Sequence, residues 1–108
     1  MASLFVQNLG ESPFIKIIDF LLDNYIFDFT KSDIARETGI SRVTLDKFFN
    51  ILIKQGIIFK TKKIGMAEIY RLNTNSEIVK AINNLEMVMI KNKYLKQKQS
   101  ISVPVLTH

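Results

Sequence analysis

Apolar residues recur at helical spacing soon after the start of the chain. They form one stripe, which consists of Phe14, Ile17, Ile18, Leu21 and Leu22. Steps of three and four residues place side chains on the same face of a helix. Ser12 and Pro13 suit the cap and the first position of that helix. The pattern predicts a helix that ends near Asn24, preceded by a separate N-terminal segment at residues 1–11.

Residues 29–56 predict two short helices that meet at a Gly–Ile–Ser turn. Thr30 can cap the first helix, and Asp33 stands at the third helical position, which is close to a capping box. Gly39 suits the left-handed conformation that often ends a helix. Ser41 can then cap the second helix. This order of signals predicts a helix-turn-helix.

The second helix of the pair, at Arg42–Gln55, has one apolar and one polar face. Its apolar stripe consists of Leu45, Phe48, Phe49 and Leu52. The polar face and the cap carry Ser41, Arg42, Val43, Thr44, Lys47 and Asn50. A generic surface helix also carries such residues, but the start of the second helix projects from a helix-turn-helix. We therefore predict that these six positions contact double-stranded DNA, through base edges or phosphates.

Two runs of β-forming residues follow, at residues 57–59 and 69–72, around a turn at Ile64–Gly65. The turn side of this hairpin carries Lys60, Lys62, Lys63 and Met66. Such lysines can protect an exposed strand edge against aggregation. They can equally neutralise DNA phosphates, and only this second role explains why they gather near the tip. Residues 25–29 predict an extended connection, with a small strand pairing with the hairpin as one option.

The charge distribution agrees with a basic surface over this region. Residues 36–71 contain eight basic and three acidic side chains, a net charge of +5, whereas residues 1–35 carry −3 and residues 72–108 carry +3. A basic patch beside an acidic segment is the electrostatic pattern of a protein that binds a polyanion.

A long helix is predicted from Asn75 to Leu95, opened by a capping box of Thr74 and Glu77. Its apolar residues recur at heptad-like spacing, at Ile78, Ile82, Leu85 and Met89. The helix either packs back on its own domain or joins two copies of the chain. We predict a homodimer whose interface contains Leu4, Phe5, Ile82, Leu85 and Met89. Residues 74–95 then form the dimerisation helix, and residues 96–108 form a flexible tail.

Several classes of function are disfavoured by the composition. The sequence has no cysteine and a single histidine, His108, so we expect no metal site and no cofactor. Asp19 and Asp23 share one helix face, and we interpret them as a solvated pair because no third carboxylate is near in sequence. No nucleophile–base pair or phosphate loop indicates an enzyme. No apolar run reaches the length of a membrane span, the first ten residues do not form a secretory signal, and a cytoplasmic location is expected.

Residues 11–95 resemble the small archaeal winged-helix transcriptional regulators, which are relatives of the MarR-like and ArsR-like superfamily. The resemblance is carried by ESPFIKIIDFLLDN, FTKSDIARETGISRVTLDKFFNILIKQGII, KTKKIGMAEIYRLN and NSEIVKAINNLE. It implies a recognition helix at Arg42–Gln55, a lysine-bearing wing at Lys60–Met66 and dimerisation through terminal helices. The chain lacks the cysteine or histidine ligands of the metal-sensing relatives, so the resemblance does not extend to metal sensing.

These observations predict a mainly α-helical protein with a small β-hairpin (an α+β fold). A winged helix-turn-helix at residues 12–73 is followed by an added long C-terminal helix. The expected function is sequence-specific regulation of transcription by a homodimer on double-stranded DNA. Two alternatives keep the same fold: a DNA-architectural or plasmid or virus maintenance protein of low sequence preference, and a module for protein–protein assembly. The lysines of the hairpin argue against the assembly module.

Overall fold

A computed structural model describes residues 3–101, with side chains described for residues 3–97. Five helices and one hairpin follow each other in the order α1 (Leu4–Leu9), α2 (Pro13–Asp23), α3 (Lys31–Thr38), α4 (Arg42–Lys54), β1 (Ile58–Ile64), β2 (Ala67–Leu72) and α5 (Glu77–Ile101). This is a winged helix-turn-helix with an additional long helix at its C-terminal end. The predicted fold class is confirmed.

Helix α1 lies in the segment for which the sequence predicted no element. The Ser3 hydroxyl oxygen accepts from the backbone N–H of Val6 and caps the helix. Phe5 and Val6 are buried, so α1 is held against the rest of the chain by two side chains. Six residues are fewer than two helical turns, too short for an apolar repeat to stand out in the sequence.

The helix-turn-helix has the local contacts that the sequence predicted. Thr30 and Asp33 form a complete capping box: the Thr30 hydroxyl oxygen accepts from the Asp33 N–H at 3.1 Å, and the Asp33 carboxylate accepts from the Thr30 N–H at 2.8 Å. That backbone hydrogen bond is the main reason why the pKa of Asp33 is lowered. Gly39 ends α3 with a φ of 74°, a left-handed conformation that disfavours residues with a Cβ.

The wing is an antiparallel hairpin with a bulge near its middle. Lys60 is opposite Tyr70 and Lys62 is opposite Ile69, so Thr61 is the extra residue in β1. Phe29 forms an isolated antiparallel bridge with Tyr70. The extended connection before α3 therefore pairs with the hairpin, which was one of the options that the sequence left open.

One apolar core joins α1, α2, the helix-turn-helix and the base of the wing. It contains Phe5, Ile17, Ile18, Leu21, Leu22, Phe29, Ile34, Leu45, Phe49, Leu52, Ile57, Ile58, Tyr70, Leu72 and Val79. Tyr70 is central, because its ring packs edge-on against Phe49 at 4.6 Å and stacks on Phe29 at 6.4 Å between ring centroids. These contacts set the position of the wing relative to α4.

Helix α5 differs from its prediction at both ends. Its cap is Ser76, whose hydroxyl oxygen accepts from the Val79 N–H at 3.3 Å, and the helix begins at Glu77. The expected capping box of Thr74 and Glu77 is therefore wrong. The helix continues six residues past the predicted end at Leu95, to Ile101. Residues 102–108 of the predicted tail lie outside the described residues.

Candidate nucleic-acid interface

The apolar side of helix α4 is buried in the core, so its polar side faces solvent. Leu45, Phe49 and Leu52 are completely inaccessible to solvent, which fixes the rotation of the helix about its axis. On the other side, Ser41, Arg42, Val43, Lys47 and Asn50 are exposed and Thr44 is half-buried. The side chain of Val43 is 73% exposed. The predicted contact positions therefore lie together on one projecting surface.

Ser41 and Thr44 have a structural role at the start of α4. The Ser41 oxygen accepts from the Thr44 N–H at 3.2 Å, and the Ser41 hydroxyl donates to Thr44 Oγ1 at 3.1 Å. Both hydroxyls are thus part of the helix cap, which orients the first turn of α4. The methyl group of Thr44 and the side chain of Val43 remain the apolar groups of that turn.

Arg42 does not extend freely into solvent. Its Nη1 donates a hydrogen bond to Ser32 Oγ, in the first turn of α3, at 3.2 Å. No sequence pattern indicates a role for Ser32. Ser32 and Arg42 are ten positions apart, and only the docking of α3 against α4 brings them together.

An ion pair links the same two helices beside this contact. Lys31 Nζ lies 3.1 Å from Asp46 Oδ1 and 4.9 Å from the centre of the Phe49 ring. Asp46 is exposed on α4, among the predicted DNA-contacting residues, and Lys31 neutralises its charge there. Both Lys31 and Asp46 are additions to the candidate interface that the sequence patterns did not indicate.

The three lysines of the wing have different surroundings. Lys60 Nζ lies 3.3 Å from Glu68 Oε2, and the Tyr70 hydroxyl donates to Glu68 Oε1 at 3.0 Å. The hydrogen bond from Tyr70, followed by the charge of Lys60, lowers the pKa of Glu68. The bulge puts Lys62 on the opposite face of the hairpin from Lys60 and Lys63, because cross-strand partners share a face.

The tip of the wing and the start of α4 border an open cleft of about 280 Å³. Its lining is formed by Thr30, Lys31, Ser32, Arg42, Met66, Ala67, Glu68 and Tyr70. Met66, at the tip, is 93% exposed. Of the predicted contact residues, Arg42 at the start of α4 and Met66 at the tip of the wing therefore border the same cleft.

The residues predicted for a dimer interface differ in how deeply they are buried. Phe5 is only 2% exposed and belongs to the chain's own core, so a second chain cannot contact it directly, contrary to the prediction. Ile82 and Met89 are partly buried against the same core. Leu85, three residues after Ile82 and four before Met89, lies beside them on α5 but is 42% exposed. Leu4 is half-buried beside an open groove between α1 and α5.

An acidic cluster lies between α2 and α5. Asp19, Asp23 and Glu86 each have an oxygen within 4.8 Å of the others, and Ser3 donates a hydrogen bond to Asp19. Burial, followed by the charge of Asp19, raises the pKa of Asp23; burial, followed by the charges of Asp23 and Asp19, raises that of Glu86. Asp23 is exposed and Asp19 half-buried, as a solvated pair requires, but α5 brings to them a third carboxylate that is distant in sequence. Among the described side chains, this is the one grouping with the spacing of cation ligands.

Across residues 3–101, no helix combines the length and the hydropathy that a membrane crossing requires.

Solved structures that share this fold include transcriptional repressors and a DNA-binding protein. The adhesin competence repressor AdcR from Streptococcus pyogenes matches with a TM-score of 0.57 at 19% identity, over 92% of this chain and 74% of that chain. The transcriptional repressor BigR from Xylella fastidiosa matches at 0.56 and 18% identity, over 82% of each chain. Sso10a-2, a DNA-binding protein from Sulfolobus solfataricus, matches at 0.55 and 18% identity, over 88% of this chain and 99% of that chain. The sequence matches no protein-family model and no curated protein.

Proposed function

We propose that this chain is a sequence-specific regulator of transcription that binds double-stranded DNA as a homodimer in the cytoplasm. The observation that carries the proposal is that the start of α4, at Arg42, and the tip of the wing, at Met66, border one open cleft beside the exposed polar face of α4. In winged helix-turn-helix proteins these two elements enter the major groove and contact the flanking backbone, respectively.

Side chains on the outward face of α4 have the chemistry for reading bases. Asn50 offers an amide that can pair with adenine, and Lys47 can donate to guanine or to a phosphate. Val43 can contact a thymine methyl group, which explains the advantage of an apolar residue that is 73% exposed. Neither Lys47 nor Asn50 has a hydrogen-bond partner among the described residues, so DNA would displace only water from them.

Similar structures support this assignment. AdcR and BigR are described as repressors, and Sso10a-2 as a DNA-binding protein. We transfer only this general role: contact with DNA and control of transcription, without catalysis.

A second copy of the chain is the partner that we propose for α5. An exposed stripe, here called the outer stripe, follows steps of three and four residues along the helix. It is formed by Ile78, Ala81, Leu85, Val88, Asn92 and Leu95. Alternation of three and four residues is the spacing of a coiled-coil seam. Two outer stripes packed about a two-fold axis would bury their five apolar residues, with Asn92 as the one polar member, and present two recognition helices to successive turns of DNA.

Selection of bound fragments from a pool of random DNA duplexes tests the proposal. We expect enrichment of a two-fold symmetric sequence with half-sites about 10 base pairs, or a multiple of that distance, apart. Enrichment without a consensus would favour the DNA-architectural alternative. Absence of binding to any duplex at physiological salt would contradict a function on DNA and favour the protein-assembly alternative.

A further inference from the structure

Arg42 occupies a position from which an arginine would be expected to read a base. It is the first residue of α4, and the N-terminal residues of a recognition helix contact base edges in the major groove. To read a base, its guanidinium must extend away from the domain. In this structure, however, the guanidinium is hydrogen-bonded to Ser32 in the first turn of α3.

The location of Ser32 indicates which part of a bound DNA would lie beside the Arg42–Ser32 pair. In a helix-turn-helix, the first helix crosses the DNA backbone while the second helix enters the groove. Helix α3 is that first helix, so a guanidinium held against its first turn lies where the sugar–phosphate chain runs. We infer that Arg42 and Ser32 together bind one phosphate of the DNA backbone, and that Arg42 does not contact a base. This inference rests on the proposed DNA-binding function.

The chemistry of the pair fits a phosphate. An arginine has five N–H donors, and the bond to Ser32 uses one of them. The others can form the two parallel hydrogen bonds that guanidinium groups make with phosphate oxygens. The Ser32 oxygen accepts from Arg42, which leaves the Ser32 hydroxyl proton to donate to the same phosphate.

The charges around the cleft leave Arg42 available for an anion. Lys31 and Arg42 are the two cations that line it among the described residues, and Lys31 is paired with Asp46. Arg42 has no carboxylate partner in the described part of the chain. On the opposite wall, Glu68 is neutralised by Lys60.

Other hydroxyls of the neighbourhood already have partners. Thr30 accepts from the Asp33 N–H as the cap of α3, and Ser41 both accepts from the Thr44 N–H and donates to Thr44 Oγ1. The Tyr70 hydroxyl donates to Glu68. Ser32 is the cleft hydroxyl that is bonded to Arg42, so Ser32→Ala removes this contact and leaves both helix caps intact.

Binding titrations on two duplexes test the inference: the sequence enriched by selection and an unselected random pool. Arg42→Ala should weaken binding to both by the same factor, about tenfold, and should lower the slope of log affinity against log salt by about one. Ser32→Ala should weaken both equally, by about threefold, with no change in slope because no charge is lost. In the double variant, Ser32→Ala should add little to Arg42→Ala, since the two residues act on one phosphate.

Asn50→Ala is the matched control, because Asn50 is exposed on the same helix and is expected to face bases. It should weaken the selected duplex more than the pool. A loss confined to the selected duplex for Arg42→Ala, or an unchanged affinity for Ser32→Ala, would overturn the inference. If the proposed DNA-binding function is wrong, the wild-type chain itself will bind neither duplex, and this result is distinguishable from a failure of the inference about Arg42. Thermal unfolding of each variant checks that the fold is retained, and Arg42→Lys, which keeps the charge, should restore the salt slope.

Discussion

Individual residues of one type have different tasks in this protein, according to what the fold places beside them. Lys31 and Lys60 are each paired with a carboxylate, whereas Lys47 and Lys62 make no ion pair among the described side chains. Exposed pairs of this kind add little to stability, about 0–1 kcal/mol each. We expect their effect on the proposed DNA binding to be larger, because a lysine paired with a carboxylate neutralises a phosphate less well.

Glu86 is a residue whose surroundings oppose its charge. It is half-buried and lies beside Asp19 and Asp23. Because its pKa in the folded protein is raised above 4.5, the folded state binds a proton more readily than the unfolded state does. The stability associated with this proton is fully present below the unfolded pKa and is lost as the pH rises through the folded pKa.

Glu86→Gln should therefore stabilise the protein at pH 7. We expect the free energy of unfolding to rise by about 0.5 kcal/mol, since nearby like charges each cost a few tenths of a kcal/mol. The difference from wild type should shrink as the pH falls through the raised pKa of Glu86, and it should be smallest below 4.5, where the carboxyl is protonated in both states. Urea unfolding at pH 7 and pH 4 measures this. Glu77→Gln is the control, because Glu77 is exposed and paired with Lys80. Equal gains for both variants, or a gain that persists at low pH, would contradict the role of the acidic cluster.

At the scale of the elements, the wing combines a fixed base with a charged tip. Phe29, Phe49 and Tyr70 pack together at its base, and the bridge between Phe29 and Tyr70 adds backbone hydrogen bonds of 2.9 and 2.8 Å. The bulge at Thr61 reverses the faces of the lysines that follow it. The wing is thus held firmly relative to α4, while its lysines point to both sides of the ribbon.

We expect two substitutions in the wing to change DNA affinity in opposite directions. Lys62→Ala should weaken binding to every duplex and lower the salt slope by about one, because a phosphate contact is lost. Glu68→Gln should strengthen binding to every duplex, because it releases Lys60 and removes a negative charge from the cleft, while Tyr70 keeps a hydrogen-bond acceptor. Titrations over a range of salt concentrations measure both effects. Glu77→Gln, which makes the same change of charge on α5, serves again as the control. A gain of the same size for Glu77→Gln would indicate an effect of net charge alone.

The described molecule as a whole is elongated, with extents of 60 × 27 × 20 Å. Helix α5 accounts for this shape, since its 25 residues span about 37 Å. Val79, Ile82 and Met89 pack against the core, while the outer stripe remains exposed. Helices in proteins gain most of their stability from packing against other elements. A long helix with an uncovered apolar stripe therefore favours association with a second chain.

Leu85→Glu should convert the proposed dimer into a folded monomer. Leu85 is exposed in the single chain, so a charge there disturbs the association of two copies rather than the core of one. We expect the intact chain to sediment as a dimer at micromolar concentration and the variant as a monomer, with weaker binding to a two-fold symmetric site. Lys91→Glu, an exposed change elsewhere on α5, should remain dimeric. Sedimentation of the intact chain as a monomer that keeps full affinity for a symmetric site would rule out this arrangement.

The sequence by itself determined the elements that depend on near neighbours. The capping box of Thr30 and Asp33, the left-handed Gly39 and the apolar stripes of α2 and α4 involve residues at most a few positions apart, so their order along the chain predicts them. These local signals also set the order of helix, turn, helix and hairpin, and with it the winged fold and the outward face of α4. The prediction failed at α1, where six residues are too few for an apolar repeat. It also failed at the start of α5, where both Thr74 and Ser76 are residues that can cap a helix.

Only the tertiary structure decided which distant residues meet. It placed Ser32 against Arg42 and Glu86 against Asp19 and Asp23, and it buried Phe5 while leaving Leu85 exposed. Each of these outcomes depends on how helices rotate and dock against one another. The packing of the whole core decides how the helices dock. An apolar residue is equally hydrophobic whichever helix it packs against, so its identity does not specify its packing partner. Sequence periodicity states that a side chain is on a given face, but not which element covers that face.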